Sequence, residues 1–292
     1  MIQEEKDRRQ RLEIAKNLGI NPYPANAHRT KNIKDVIDGF DKLLENKEKL
    51  TVGGRIMAIR KHGGISFINL KDESGSLQIV IFKEEVSEEK YKEFFKITDI
   101  GDFYEFSGSV YLTKKGEKSI KASNWLMLAK SLLPLPEKFH GLNDIEKRYR
   151  QRYLDLIANP EVMEKAKARA KMVAAMRNFL EQEGFLEVET PILQPIPGGA
   201  NARPFITHHN TLHTDLYLRI APELYLKRLL VGGFEKIYEF ARCFRNEGIS
   251  PQHNPEFTQI EAYWAYANIE QLIDHISKLL LTAVKAVTNG KT

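Results

Sequence analysis

Tyr238-Glu239-Phe240-Ala241-Arg242-Cys243-Phe244-Arg245-Asn246-Glu247-Gly248-Ile249-Ser250-Pro251-Gln252-His253-Asn254-Pro255-Glu256-Phe257-Thr258-Gln259-Ile260-Glu261-Ala262-Tyr263 is the run on which the fold turns. Its first part alternates apolar and polar residues up to Phe244, the period of a half-buried strand. Gly248, Ser250 and Pro251 make a loop, and a second strand-like run begins at Pro255-Glu256-Phe257. Two strands joined in this way carry an arginine, a histidine, an aromatic ring and several carboxylates onto one surface. A surface with those groups suits a nucleoside triphosphate, because a guanidinium forks onto phosphate oxygens and stays charged.

The same reading extends on either side of this run. Asn159-Pro160-Glu161 is a helix start, since asparagine can cap and proline fits the first helical position. Ala166, Ala170, Val173, Met176 and Leu180 supply a helical face ended by Gly184, and a strand from Phe185 to Glu189 runs into Thr190-Pro191. After the run, Ile269 to Val287 reads as an apolar helix, followed by Asn289-Gly290-Lys291-Thr292.

Nearer the N-terminus the rhythm is different. Leu12, Ile14, Ala15 and Leu18 have helical spacing stopped by Gly19, and a second helix is expected from Ile33 to Glu48. Val52 to Arg60, Ser66 to Leu70, Leu77 to Phe82, Phe103 to Leu112 and Ser119 to Leu128 are five short β-rich runs. Hairpin-turn compositions separate several of them, and a helical stretch near Glu84 to Phe95 lies between the third and fourth. That order matches an OB-fold barrel, with an SH3-like barrel or small sandwich as the alternatives that strand counting leaves open. Pro134, Pro136 and Gly141 mark a linker. The expected organisation is α+β: a helical segment over 1–50, a barrel over 51–130, a linker over 131–160 and an antiparallel sheet with flanking helices over 161–292.

The 292 residues, 42% hydrophobic and 28% charged, are those of a soluble globular protein of two domains. A net charge of +5 fits an anionic partner such as RNA. The single cysteine, Cys243, excludes a disulfide framework and a multi-cysteine zinc site. His208, His209 and His213 lack the spacing of a zinc set. With no signal-peptide core and no membrane-length apolar run, a cytoplasmic location and no membrane partner are expected.

Ile196-Pro197-Gly198-Gly199-Ala200-Asn201-Ala202-Arg203-Pro204-Phe205 and Leu218-Arg219-Ile220-Ala221-Pro222-Glu223-Leu224-Tyr225-Leu226-Lys227 closely resemble the lysyl-tRNA synthetases, bacterial members of the class II aminoacyl-tRNA synthetases. The run from Tyr238 to Tyr263 resembles their motif 2, and helix–Gly184–strand–Pro191 resembles motif 1, their dimer element. The resemblance continues from about Leu12 to the end, through Phe139-His140-Gly141-Leu142 and the run from Tyr149 to Leu156.

The resemblance implies ATP-dependent activation of L-lysine, transfer to tRNA(Lys), and a homodimer. It implies that Arg245 bridges the lysine carboxylate and the ATP α-phosphate as the catalytic arginine. Glu247, His253, Asn254 and Phe257 would complete the ATP site, with Phe257 stacking on adenine. Gly199, Glu223, Glu261 and Tyr263 would join Arg245 in the lysine pocket. In the barrel, Phe67 and Gln78, with Arg60 and Glu117, would read the anticodon. Taken without the resemblance, Arg245 reads as a surface salt bridge with Glu247 or Glu239, while helix capping for Glu223 and barrel core for Phe67 stay open as alternatives.

The family's third motif, a Gly-rich strand–helix with an arginine for the γ-phosphate, does not follow Tyr263. The expectation is therefore an N-terminal portion of a longer protein, inactive alone, with its Mg2+ ligands beyond Thr292. Aspartyl- and asparaginyl-tRNA synthetases share the plan but would need a cationic side-chain pocket. An RNA-binding protein that has lost the chemistry is the non-enzymatic alternative; the missing motif favours it, and the full motif 2 set argues against it.

Overall fold

The computed structural model describes residues 2–136, 141–288 and 290. Phe139 and His140, and Asn289, Lys291 and Thr292 of the tail, lie outside them. The chain divides into two units, Met1–Asn159 and Pro160–Thr292.

The first unit opens with α1 (Gln3–Asn17), closed by Gly19 at φ +73°, then α2 (Ile33–Asp38) and α3 (Phe40–Glu45). The single helix expected from Ile33 to Glu48 is thus two, broken at Gly39, whose ψ of 12° carries the chain out of helical geometry. Next come β1 (Lys49–His62), β2 (Ile65–Lys71), β3 (Ser76–Phe82), α4 (Lys83–Val86), α5 (Glu88–Ile97), β4 (Phe103–Leu112) and β5 (Lys118–Ala129). The five strands close in the order β1-β2-β3-β5-β4, with β4 pairing back onto β1 and β3 running parallel to β5. That closed topology with a helix between β3 and β4 is the OB-fold, and it removes the sandwich alternative.

Two glycines let the barrel strands approach closely: a Cβ at Gly54 would stand 2.5 Å from the Lys71 carbonyl oxygen. A Cβ at Gly108 would stand 2.0 Å from the Lys121 carbonyl oxygen, at the bulge between Ser107 and Gly108. Ile56, Ile68, Ile79, Phe94, Tyr104 and Phe106 fill the interior. Helix α1 is tied to this barrel by Arg8, which donates to the carbonyls of Ile100 (2.9 Å) and Ser131 (3.3 Å). The segment expected as a linker contains α6 (Ile145–Arg150) and α7 (Arg152–Ala158), whose buried Asp155 accepts from Arg148 (2.8 Å) and Asn159 (2.7 Å).

The second unit starts with α8 (Pro160–Gln182), followed by β6 (Leu186–Glu187), β7 (Leu193–Gln194), β8 (Ile206–His209) and β9 (Thr214–Leu218). It continues with α9 (Glu223–Val231), β10 (Lys236–Phe244), β11 (Glu256–Trp264) and α10 (Ile269–Val287). One sheet runs β11-β10-β6, the other β7-β9-β8. The strand expected from Phe185 to Glu189 shortens to two residues: Leu186 and Glu187 form the ladder with β10, and Val188 adds one N–H bond to the Tyr238 carbonyl (2.9 Å) where it ends. On α8, Met176 and Leu180 are buried whereas Ala166 and Ala170 are exposed. The core lies at the C-terminal end of α8, where Phe185, Tyr238, Leu279 and Ala283 meet it. Helix α10 begins in a full capping box, with Asn268 and Gln271 each bonding the other's backbone N–H.

Candidate functional site

The β10–β11 hairpin sorts its side chains by parity. Residues directly opposite in an antiparallel pair share a face. Tyr238, Phe240, Ile260 and Trp264 face the core beneath the sheet. Glu239, Ala241 and Cys243 therefore share the other face with their partners Glu261, Gln259 and Phe257, and Tyr263 lies on it opposite Ile237.

Carboxylates gather on that face. Glu261 accepts from the Tyr263 hydroxyl (3.0 Å) and from Gln259 Nε2 (2.8 Å), both neutral donors. Burial pushes the Glu261 carboxyl above its ordinary range, and the charges of Glu223 and Glu239 push it further. Burial also raises the Tyr263 hydroxyl, with Glu261 and Glu223 adding to the effect. Glu223 opens α9 without capping it; its carboxylate takes Lys227 of the next turn. Gly199, at φ +85°, presses on the same residue: a Cβ there would lie 2.9 Å from the Glu223 Cβ. Gly199, Glu223, Glu261 and Tyr263 are thus brought together, with two carboxylates, those of Glu223 and Glu261, at one place.

Arg245 stands at the end of β10. Its backbone N–H donates to Pro255 O (2.8 Å), and its guanidinium carbon lies 5.0 Å from the centre of the Phe257 ring. The guanidinium forms no ion pair with Glu247 or Glu239, and its charge partly offsets the rise at Glu261. Glu247, His253 and Asn254 lie exposed in the connecting loop. His253 Nδ1 meets Ser250 Oγ at 2.8 Å, and paired backbone bonds of 3.1 Å between the same residues close the loop tip.

Arg219 is the organising residue that sequence reading missed. Only 3% exposed, it donates to Glu239 (2.6 Å), to the Thr190 hydroxyl (3.0 Å) and to the carbonyls of Thr190 (3.0 Å) and Arg242 (2.8 Å). It bonds the segment after β6 to β10 and neutralises the one carboxylate of the cluster that is fully buried. Its signal was a charge between apolar neighbours, Leu218 and Ile220, which a buried strand end admits only with a partner. Burial pushes the Cys243 thiol up to about 11, so it is an inert packing group.

Elsewhere in this unit His208 pairs with Asp215 (2.8 Å), and His209 accepts from the Leu212 N–H. Among the described residues no group of three or more His, Cys, Asp or Glu is arranged to hold a metal ion. No described helix is long and apolar enough to cross a membrane.

The barrel has its own site. Arg60, Phe67 and Val80 lie side by side across β1, β2 and β3. Ser66, Ile68 and Leu70 point into the core, so Phe67 is on the outer surface and half-buried rather than part of the interior. There Arg60, Phe67, Gln78, Phe82, Tyr111 and Glu117 line an open groove of about 770 Å³, rimmed by Lys61, Lys114 and Lys115. All four residues expected to read a base share this one groove, where an aromatic face, polar groups and cations meet.

Comparison with known proteins assigns both stretches of the chain to families. Residues 144–292 match the family of class II tRNA synthetases for aspartate, lysine and asparagine. Residues 50–128 match the OB-fold nucleic-acid-binding domain family. The chain is 52% identical over 292 residues to a lysine–tRNA ligase of Carboxydothermus hydrogenoformans, covering 98% of this chain and 59% of that one. It is 48% identical over 288 residues to that of Magnetococcus marinus, covering 97% and 58%. With the enzyme of Syntrophomonas wolfei the figures are 52% over 285 residues, 98% and 57%. The chain therefore spans less than three fifths of the length of these curated relatives.

Proposed function

We propose, from the premise that this chain belongs to the class II tRNA synthetases of the aspartate, lysine and asparagine group, that it serves a lysine–tRNA ligase. Its second unit would grip L-lysine and ATP, and its barrel would grip the anticodon of tRNA(Lys). The observation that carries the lysine reading is the anionic pocket of Gly199, Glu223, Glu261 and Tyr263 beside Arg245.

The chemistry follows from charge. The ε-ammonium of lysine pairs with Glu223, displacing Lys227, and is bounded by the Tyr263 hydroxyl. The α-ammonium lies between Glu261 and the bare Cα of Gly199. Each ammonium draws Glu261 back toward its ionised form. The α-carboxylate then extends to Arg245, which also takes an α-phosphate oxygen. A carboxylate oxygen attacks the α-phosphorus in line, the bond to the β-phosphate oxygen breaks, and pyrophosphate leaves with lysyl-adenylate retained. Arg245 holds both reactants in line and offsets the charge developing on the phosphorus oxygens. Phe257 offers its ring to adenine, Glu247 its carboxylate to the adenine amino group, and His253 with Asn254 hydrogen bonds to the triphosphate. The family's chemistry uses Mg2+; among the described residues no group of three or more His, Cys, Asp or Glu is arranged to hold it.

An aspartate- or asparagine-specific pocket would set a cation or amide where Glu223 stands. A side chain without a cation cannot take the place of Lys227 on Glu223, and an acidic one is repelled there, so such a competitor binds more weakly. A homodimer in the manner of the family and a cytoplasmic location complete the proposal. The test is calorimetric titration of the chain with L-lysine, L-aspartate and L-asparagine. Selective binding of lysine is expected; equal or tighter binding of aspartate would remove the assignment.

A further inference from the structure

Both ends of the Gln78 amide are already engaged in the barrel groove. Arg60 Nη2 donates to Gln78 Oε1 at 3.3 Å, and Gln78 Nε2 donates to Ser119 Oγ at 3.0 Å. The Ser119 hydroxyl donates in turn to the Glu117 carbonyl at 3.2 Å, leaving a lone pair for Gln78. This relay runs in one direction only. A guanidinium has no acceptor, so the amide oxygen must face Arg60 and the amide nitrogen must face Ser119. Ser119 is fully buried and sits opposite Gln78 in the parallel β3–β5 pairing, behind the groove rather than in its lining.

We propose that Ser119 is a positioning residue that sets base specificity: it locks the Gln78 amide with its second N–H turned to the groove, so that the groove takes an RNA base presenting a carbonyl oxygen there, as uracil does, over one presenting an amino group, as cytosine does. The proposal rests on the reading of this groove as an RNA site. Stacking on Phe67 accepts any base, so it cannot discriminate. Discrimination must come from the polar edge, and a donor facing the cytosine amino group leaves both unpaired. Without the Ser119 oxygen the Nε2 side loses its one acceptor among the described residues. The amide is then free to swing away from Arg60 and present either end.

The test is fluorescence anisotropy of the 292-residue chain with two short single-stranded RNAs that differ only in a central uracil or cytosine. Wild type should prefer uracil by about tenfold. Ser119→Ala should bring the ratio to about threefold or less by weakening uracil binding, with cytosine binding little changed. An unchanged ratio, or equal weakening on both RNAs, would overturn the role of Ser119. Gln78→Glu replaces the donor by an acceptor and should move the preference toward cytosine, which keeps the idea testable if Ser119→Ala fails to fold; no movement would overturn it. Wild type that binds both RNAs equally overturns the proposal but leaves the RNA site standing. Wild type that binds neither removes both.

Discussion

Arg219→Met probes the buried anchor of the candidate site, and the structure sets the size of its effect. Methionine replaces much of the packing volume but donates no hydrogen bond. Glu239, 3% exposed, would then keep a single partner, the Thr190 hydroxyl at 2.7 Å. A buried carboxylate stripped of its cation costs about 3–5 kcal/mol, because its desolvation is no longer offset. Removing both charges in Arg219→Met/Glu239→Met leaves no such carboxylate, so the double variant should be more stable than the single one. The chain has two tryptophans, Trp125 on β5 and Trp264 on β11. In a Trp125→Phe background, urea unfolding followed by fluorescence therefore reports the second unit alone. A loss below about 1 kcal/mol for Arg219→Met, or a double variant less stable than the single, would refute the reasoning.

Three further outcomes are expected. Burial among Phe179, Phe185 and Trp264 holds the His275 imidazole below its ordinary 6.5, and its Nε2 has no hydrogen-bond partner. The unfolded chain then binds the extra proton first, so the second unit should keep its stability above 6.5 and lose it as pH falls below that value. His275→Phe should flatten this dependence and raise stability by about 1 kcal/mol in urea titrations at several pH values; an unaltered slope would count against it. Gly199→Ala puts a Cβ 2.9 Å from that of Glu223 at φ +85°, and should weaken lysine in calorimetry by at least about tenfold. Phe67→Ala should cost about 1–3 kcal/mol of single-stranded RNA affinity with little change in thermal stability, since the ring is outside the barrel core.

Much of this was legible because local signals agreed with the global fold. The turn compositions between the β-rich runs placed all five barrel strands, and Asn159-Pro160 placed the start of α8 at Pro160. Where the reading slipped, tertiary context had changed the outcome. The alanines at 166 and 170 have the spacing of a buried face, but the core meets α8 from Met172 onward. Phe185 to Glu189 has strand character throughout, yet pairing depends on a neighbour, and β10 offers ladder partners to two of those residues. Arg219 stayed hidden because periodicity says where a charge sits and not what lies across from it.

By itself the sequence determined the elements and the inventory of reactive groups: a barrel, a hairpin ending in Arg245, and acids spaced along it. Those follow from local propensity and alternation, which act over a few residues. Only the tertiary structure decided which groups share a surface. Register put Glu261 opposite Glu239, a left-handed Gly199 set its backbone against Glu223, and barrel closure placed Arg60, Phe67, Gln78 and Glu117 around one groove. Such juxtapositions depend on contacts between residues far apart in the chain, whose strength comes from burial and from the exclusion of water.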